Sequence, residues 1–221
     1  MIKKSISVFL YITLLATFSI LGGGSYLEVD FYKSDPSEIF PFFSQVIADA
    51  EKGGASAQLK LSVIYSRGIG VEKSPEQSRY WLAKAADNGD PAANFSLGEQ
   101  YLIGTRYRRN IPKALQMLQL SASGGNTKAM SLVGAIRYGM YGPYFMDLTA
   151  AKKYLKQASD DGNGPSSFLL SCIYKYDIYD KNLFNKYIKL SFEQNSRSAI
   201  KYEKGGGLEY LSGRCRSLRL N

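Results

Sequence analysis

The sequence predicts an all-α fold, a tandem array of helix–turn–helix repeats. Three observations predict it. Small residues recur at Ala50, Ala86, Ala122 and Ala158, each 36 positions after the last. A glycine column shadows them at Gly53, Gly89 and Gly125, with Gly162 one residue late. Between these columns the small and apolar residues keep helical spacing, as Ala57, Leu61 and Tyr65 do at i, i+4 and i+8. Several columns sharing one period of this length mark stacked structural units. The 221 residues suffice for one domain or one short array, and 45% hydrophobic content excludes a disordered chain.

Taken from the start, Lys3 and Lys4 precede an apolar run from Ile6 to Leu21, followed by Gly22, Gly23, Gly24 and Ser25. A positive start, an apolar stretch and small residues form the pattern of a secretory signal peptide. Residues 1–25 are read as a signal peptide or an uncleaved N-terminal anchor. The run lacks an Ala-x-Ala site and falls short of the roughly 20 residues of a spanning helix. Both readings send the rest of the chain across the membrane, so the expected location is periplasmic or secreted, with membrane attachment through this segment if it is uncleaved. The absence of a nearby Cys excludes lipid modification there. Without the leader, 26 basic and 19 acidic residues leave a charge of +7.

The array is assigned to residues 37–195: a half-unit at 37–52, repeats at 53–88, 89–124 and 125–161, and a degenerate cap at 162–195. Further columns read Ala57, Ala93 and Ala129; Leu61, Leu97 and Val133; and Ser62, Gly98 and Gly134. Tyr65 and Tyr101 continue the register, which Arg137 breaks with Tyr138 beside it. Val46, Leu82, Leu118 and Tyr154 form an apolar column. Leu82, Ala85 and Ala86 stripe each unit's second helix type, and Gly89 ends it, as glycine just past a last turn does. Pro75 and Pro91 suit a first helical turn, where a missing N–H costs nothing.

Residues 54–71, Gly-Ala-Ser-Ala-Gln-Leu-Lys-Leu-Ser-Val-Ile-Tyr-Ser-Arg-Gly-Ile-Gly-Val, resemble the first half of a Sel1-like repeat. Trp81-Leu-Ala-Lys-Ala-Ala-Asp-Asn-Gly89 resembles the second half, and Ala-x-x-x-Leu-Gly-x-x-Tyr-x-x-Gly recurs intact at 93–104. The resemblance covers about residues 45–175. It implies a right-handed α-solenoid, related to tetratricopeptide arrays, whose concave face is lined by the first helix of each unit. The chain departs from the pattern at Thr105–Asn110, which lacks the usual Gly-Val, and at Gly139–Phe145, which is aromatic and irregular. The fourth unit keeps Leu170, Ser171 and Tyr174, but its second helix, around Leu183–Asn195, is degenerate. Residues 196–221 are read as a basic tail. Gly205-Gly206-Gly207 breaks it, and Arg214, Arg216 and Arg219 stand among leucines.

The chain contains no His, which removes Ser-His-Asp and Cys-His catalysis and the commonest metal ligand. P-loop, dinucleotide, zinc and paired-carboxylate motifs are absent as well, so no cofactor and no metal are expected. Ser198-Ala-Ile-Lys201 matches Ser-x-x-Lys without its companion triads and is read as coincidence. Asn94-Phe-Ser96 is a glycosylation sequon by letter only, since it falls within a helix. The net charge of +9 suits acidic partners, but nothing gathers it into a nucleic-acid motif. Cys172 and Cys215 lack metal spacing; in an oxidising compartment they could form one bridge, and otherwise they are two independent thiols.

What remains is a choice of surface. Groove-facing positions fall two residues before the Leu column (Leu59, Phe95, Ser131), two after it (Val63, Glu99, Ala135) and five after it (Ser66, Leu102, Tyr138). Phe95, Leu102 and Tyr138 would form an apolar stripe with Glu99 as polar anchor, unless neighbouring helices bury them. The loop Thr105-Arg106-Tyr107-Arg108-Arg109 is the second candidate, a basic-aromatic cluster suited to an acidic group or, more plainly, a solvated connector. The expected function is a non-catalytic, monomeric scaffold or adaptor in the periplasm that binds another protein. The alternatives are an immunity protein against a secreted lipase-type effector and, remotely, a cell-wall or β-lactam-interacting enzyme.

Overall fold

The computed structural model describes residues 36–204 and Cys215, so the leader assigned to 1–25 lies outside the described residues. By contacts the chain divides into Met1–Val46 and Ile47–Asn221, and the array belongs to the second unit. Among the described residues there are ten α-helices and no strand. They are α1 (Pro36–Glu51), α2 (Ala55–Arg67), α3 (Pro75–Asp87), α4 (Pro91–Ile103), α5 (Ile111–Ser123), α6 (Thr127–Arg137), α7 (Leu148–Asp160), α8 (Gly164–Tyr176), α9 (Lys181–Glu193) and α10 (Arg197–Lys204), with one 3₁₀ turn at Pro143–Phe145. The even helices α2, α4, α6 and α8 each pair with the next helix as a hairpin, and successive hairpins stack. No described helix is long and apolar enough to cross a membrane.

Each hairpin closes in the same way. The main-chain N–H of Ser74, Asn110, Asp147 and Asp180 donates to the carbonyl of Tyr65, Tyr101, Arg137 and Tyr174, at 2.8–2.9 Å. These same four residues cap the helix that follows. Their side chains accept from Gln77, Lys113, Ala150 and Leu183 main-chain N–H groups, satisfying donors that a helix start otherwise leaves unpaired. Thus the Tyr column survives at Arg137 because its function there is carried by a carbonyl, which any residue supplies.

The glycine column has its reason in the turns between hairpins. Gly53, Gly89, Gly125 and Gly162 hold φ between 83° and 93°, and Asn195 continues the series at φ 55°. Asn is the residue other than Gly that most readily takes this left-handed conformation. The fourth unit is therefore geometrically complete: α9 is a full helix burying Phe184, Tyr187 and Ile188, and the cap expected at 162–195 is degenerate only in its letters.

Within each hairpin, a small residue meets a large one. Gly98 lies against Leu118 and Gly134 against Leu155, where a Cβ would fall 2.7 and 2.5 Å from the leucine Cγ. At the equivalent place in the first repeat, Ser62 Oγ donates to the Ser78 carbonyl at 2.8 Å. Between hairpins, a polar side chain reaches back to the end of the preceding helix: Gln58 Nε2 to Ala50 O at 2.9 Å, and Asn94 Nδ2 to Ala86 O at 3.2 Å. Burial and these bonds together hold each stacked interface.

Two columns change members after the third loop. It is longer, so α7 starts 37 residues after α5 rather than 36. The structural partner of Leu118 is then Leu155, fully buried, and not Tyr154. Likewise Ser159, not Ala158, stands where Ala122 stands: the turn bonds Asn126 N to Ser121 O and Asn163 N to Ala158 O pair Ala158 with Ser121. Ala158 and Ser159 are both buried, so the exact 36-residue recurrence at Ala158 is fortuitous.

The basic tail assigned to 196–221 begins as the helix α10, with Ala199 buried. Further along, Cys215 is bonded to Cys172 of α8. Of the two readings of these cysteines, the structure takes the bridge.

Candidate protein-binding groove

The groove positions lie on the even helices, and the structure sorts them into open and covered. Leu59, Phe95 and Glu99 are half-buried and remain at the surface, and Val63 is exposed. Leu102 and Tyr138 are 3% and 0% exposed, so they are corrected from groove to core. Leu102 packs with Ala114, Leu115 and Leu118, while Tyr138 packs with Ala151, Leu155 and Phe168. Both sit at the C-terminal end of their helix, packed against the next helix of the hairpin. Spacing along an isolated helix carries no record of that partner's path.

Towards the end of the array the groove closes. Ala135 and Cys172 occupy the positions equivalent to Glu99, and both are buried in one cluster with Cys215. The bridge therefore brings Cys215 onto the face that Val63 and Glu99 leave open in the first two repeats.

What stays open is a depression of about 230 Å³ between α4 and α6, lined by Phe95, Glu99, Lys128, Ser131, Leu132 and Asn163. Phe95 and Leu132 form its apolar wall. Its polar end is preorganised: Asn163 Oδ1 caps α8 by accepting from Ser166 N at 3.0 Å, and Ser166 Oγ donates to Ser131 Oγ at 2.8 Å. The Glu99 carboxyl titrates above the ordinary carboxylate range, because partial burial disfavours its charge more than Lys128 restores it. Tyr141, whose phenol burial also pushes upward, lies within the fields of both Glu99 and Arg109. A half-desolvated carboxylate beside an aromatic wall suits a hydrogen-bond donor carried on an apolar segment.

Spacing located Phe95, Glu99 and Ser131. It missed Lys128, Leu132, Tyr141 and Asn163, which come from a helix start, a neighbouring stripe, a loop and a cap. The cap alone had a local signal, Asn before a helix that opens with Gly-Pro.

The basic loop is solvent-facing: Arg106, Arg108 and Arg109 are all exposed. It is ordered by an aromatic contact, Tyr107 stacking on Tyr101 with ring centroids 4.6 Å apart, and Lys113 Nζ stands 4.6 Å from the Tyr101 centroid. Its arginines line the hairpin-loop edge of the array. Of the three, Arg109 acts on Tyr141, whose phenol its charge favours ionising.

Comparison with known proteins addresses the same segment. Residues 55–90, 91–126 and 127–163 match the model described as Sel1 repeat. These units are phased two residues later than units counted from the glycine column, each beginning at the first residue of α2, α4 or α6. A protective antigen of uropathogenic Escherichia coli displaying an SLR fold superposes with a TM-score of 0.62 at 22% identity, over 80% of this chain and 40% of that one. A Sel1 repeat protein from Oxalobacter formigenes gives a TM-score of 0.52 at 27% identity, over 56% of this chain and 92% of that one. In sequence, Neisseria meningitidis NMB1327 is 30% identical over 41% of this chain, and rat DAP3-binding cell death enhancer 1 is 34% identical over 36%. The matched segments span less than a fifth of those two relatives, 19% and 15% of their lengths.

Proposed function

This chain is a Sel1-repeat protein, and from that premise we propose that it is a non-catalytic scaffold acting outside the cytoplasm, which seats a partner protein in the depression between α4 and α6. Sel1 repeats are protein-interaction modules, and among the described residues a depression between α4 and α6 stands open. The observation that carries the reading is Glu99, a carboxylate held half-buried against Phe95 with its charge incompletely compensated. Such a group is costly in the free protein and is relieved when a partner supplies a donor. An apolar segment offering an amide, a hydroxyl or a cationic side chain fits the site.

The extracytoplasmic location is supported by the apolar run at 6–21 behind two lysines and by the Cys172–Cys215 bridge, a bond that persists in oxidising compartments. The protein is taken to act as a monomer.

Capture of partners from an envelope extract, by the protein and by its Phe95→Ala and Glu99→Gln variants, tests the site. Recovery should fall at least about tenfold for Phe95→Ala, as for a central contact, and stay unchanged for Leu120→Ala on the exposed face of α5. Equal recovery by all four proteins would remove the groove. A secreted antibacterial effector among the captured proteins would narrow the scaffold to an immunity protein.

A further inference from the structure

The two edges of the array differ in their exposed apolar side chains. All hairpin loops (68–74, 104–110, 138–147 and 177–180) lie along one edge, and all turns between hairpins lie along the other. Among the described residues, five of the eight exposed large apolar or aromatic side chains belong to the hairpin-loop edge: Ile103 (65%), Tyr144 (89%), Met146, Ile178 and Tyr179 (80%). The exposed Arg106, Arg108 and Arg109 stand among them. The turn edge has none of the eight, and its exposed charges are mixed, Glu51, Asp87, Asp160 and Asp161 standing with Lys52 and Lys128.

The loops adjoin one another. Tyr141 and Phe145 pack in the same cluster as Leu102 and Ile111, which bracket the arginine loop. Met140 packs in the same cluster as Tyr176, which precedes the last loop. The second, third and fourth loops are thus linked through shared packing beneath them.

Core packing does not account for the side chains on this edge. Tyr179 is held at φ 61°, a conformation unfavourable for a bulky residue, while its ring stands in solvent.

We propose that the hairpin-loop edge docks on an anionic phospholipid surface, with Ile103, Tyr144, Met146, Ile178 and Tyr179 entering the interface and Arg106, Arg108 and Arg109 meeting lipid phosphates. Peripheral attachment requires an apolar and a basic contribution together, and this edge has both. Tyrosine places an apolar ring and a polar hydroxyl at the boundary where each is favoured. Arginine pairs with phosphate through two parallel hydrogen bonds. The protruding tips stand singly on separate loops and form no pocket, so they suit a yielding headgroup layer better than a rigid protein face. The inference does not depend on what occupies the depression beside Phe95 and Glu99.

The test uses the full chain with its single tryptophan removed by Trp81→Phe and a reporter introduced by Tyr144→Trp, Tyr179→Trp or, as a control, Leu120→Trp. Vesicles contain equal parts phosphatidylcholine and phosphatidylglycerol, or phosphatidylcholine alone, with brominated acyl chains as quencher. On anionic vesicles the reporters at 144 and 179 should shift to shorter wavelength and be quenched, while the one at 120 should not. On phosphatidylcholine alone all three should stay in water, even if another part of the chain holds the protein to the vesicle. Adding Arg106→Gln, Arg108→Gln and Arg109→Gln should weaken docking of the edge roughly a hundredfold, at about one headgroup-layer attraction per charge, and return both reporters to water. Reporters at 144 and 179 that remain in water on anionic vesicles would overturn the proposal and leave the edge to a protein partner. Quenching that survives loss of the three arginines, or that is equal at 120, would overturn it as well.

Discussion

Gly98 and Leu118 are in contact at a distance that leaves no room for a methyl group: a Cβ on Gly98 would stand 2.7 Å from Leu118 Cγ and 2.9 Å from Cδ2. Leu118 is fully buried and cannot swing aside. Gly98→Ala should therefore lower stability by about 1–3 kcal/mol through overpacking, although alanine favours an isolated helix by up to about 1 kcal/mol. Urea unfolding of the variant measures the net sign. An unchanged or higher midpoint would mean that the hairpin relaxes at this contact.

Leu102 and Phe95 lie seven residues apart on α4, and substitutions at the two should have separable effects. Leu102→Ala removes a core side chain and should destabilise by about 2–5 kcal/mol. Phe95→Ala should weaken partner capture with a smaller loss of stability, since its ring is only partly buried. Thermal unfolding and capture measured side by side distinguish them.

Glu99 gives a pH signature. Its folded-state pKa lies above the ordinary value of 4.5. Between those two values the folded protein holds more protons than the unfolded chain, so the Glu99 contribution to stability declines as pH rises through that window and is constant above it. Glu99→Gln should accordingly raise the melting temperature at neutral pH and make no difference near about pH 3. A partner donor on Glu99 favours the ionised carboxyl, so partner binding should strengthen over the same rise in pH.

The bridge between Cys172 and Cys215 spans a sequence separation of 43. Loop closure over that length contributes at most about 4 kcal/mol. Reduction, or Cys172→Ser with Cys215→Ser, should lower the melting temperature and loosen the last hairpin first. Amide exchange in α8 and α9 should accelerate more than in α3 and α4.

The repeat columns were legible because each records a contact that recurs from unit to unit: glycine at the left-handed turn and a small residue under a leucine. Legibility ended where geometry depended on loop length. The longer third loop moved Leu155 and Ser159 into places that counting by 36 gives to Tyr154 and Ala158. Leu102 and Tyr138 were misplaced for a related reason, since the path of the helices that cover them is set by the loops between and not by a helical period. In the groove, Phe95 and Glu99 followed from the stripe, but Lys128 and Asn163 come from the next unit's helix starts, and only stacking brings them near. The cysteine pairing was open in the sequence, as the tail has no periodic signature.

One asymmetry runs through the whole array. Every turn between hairpins has three residues, at 52–54, 88–90, 124–126, 161–163 and 194–196, whereas the hairpin loops have seven, seven, ten and four. The step from one unit to the next is thus fixed by the turns, and length variation is absorbed on the other side. A whole unit could be duplicated or lost in a single genetic event, and each remaining junction would keep its geometry. The loops, meanwhile, are free to diverge in length and composition without disturbing the stack. Inheritance of the scaffold and diversification of its surface are thereby separated along a single chain.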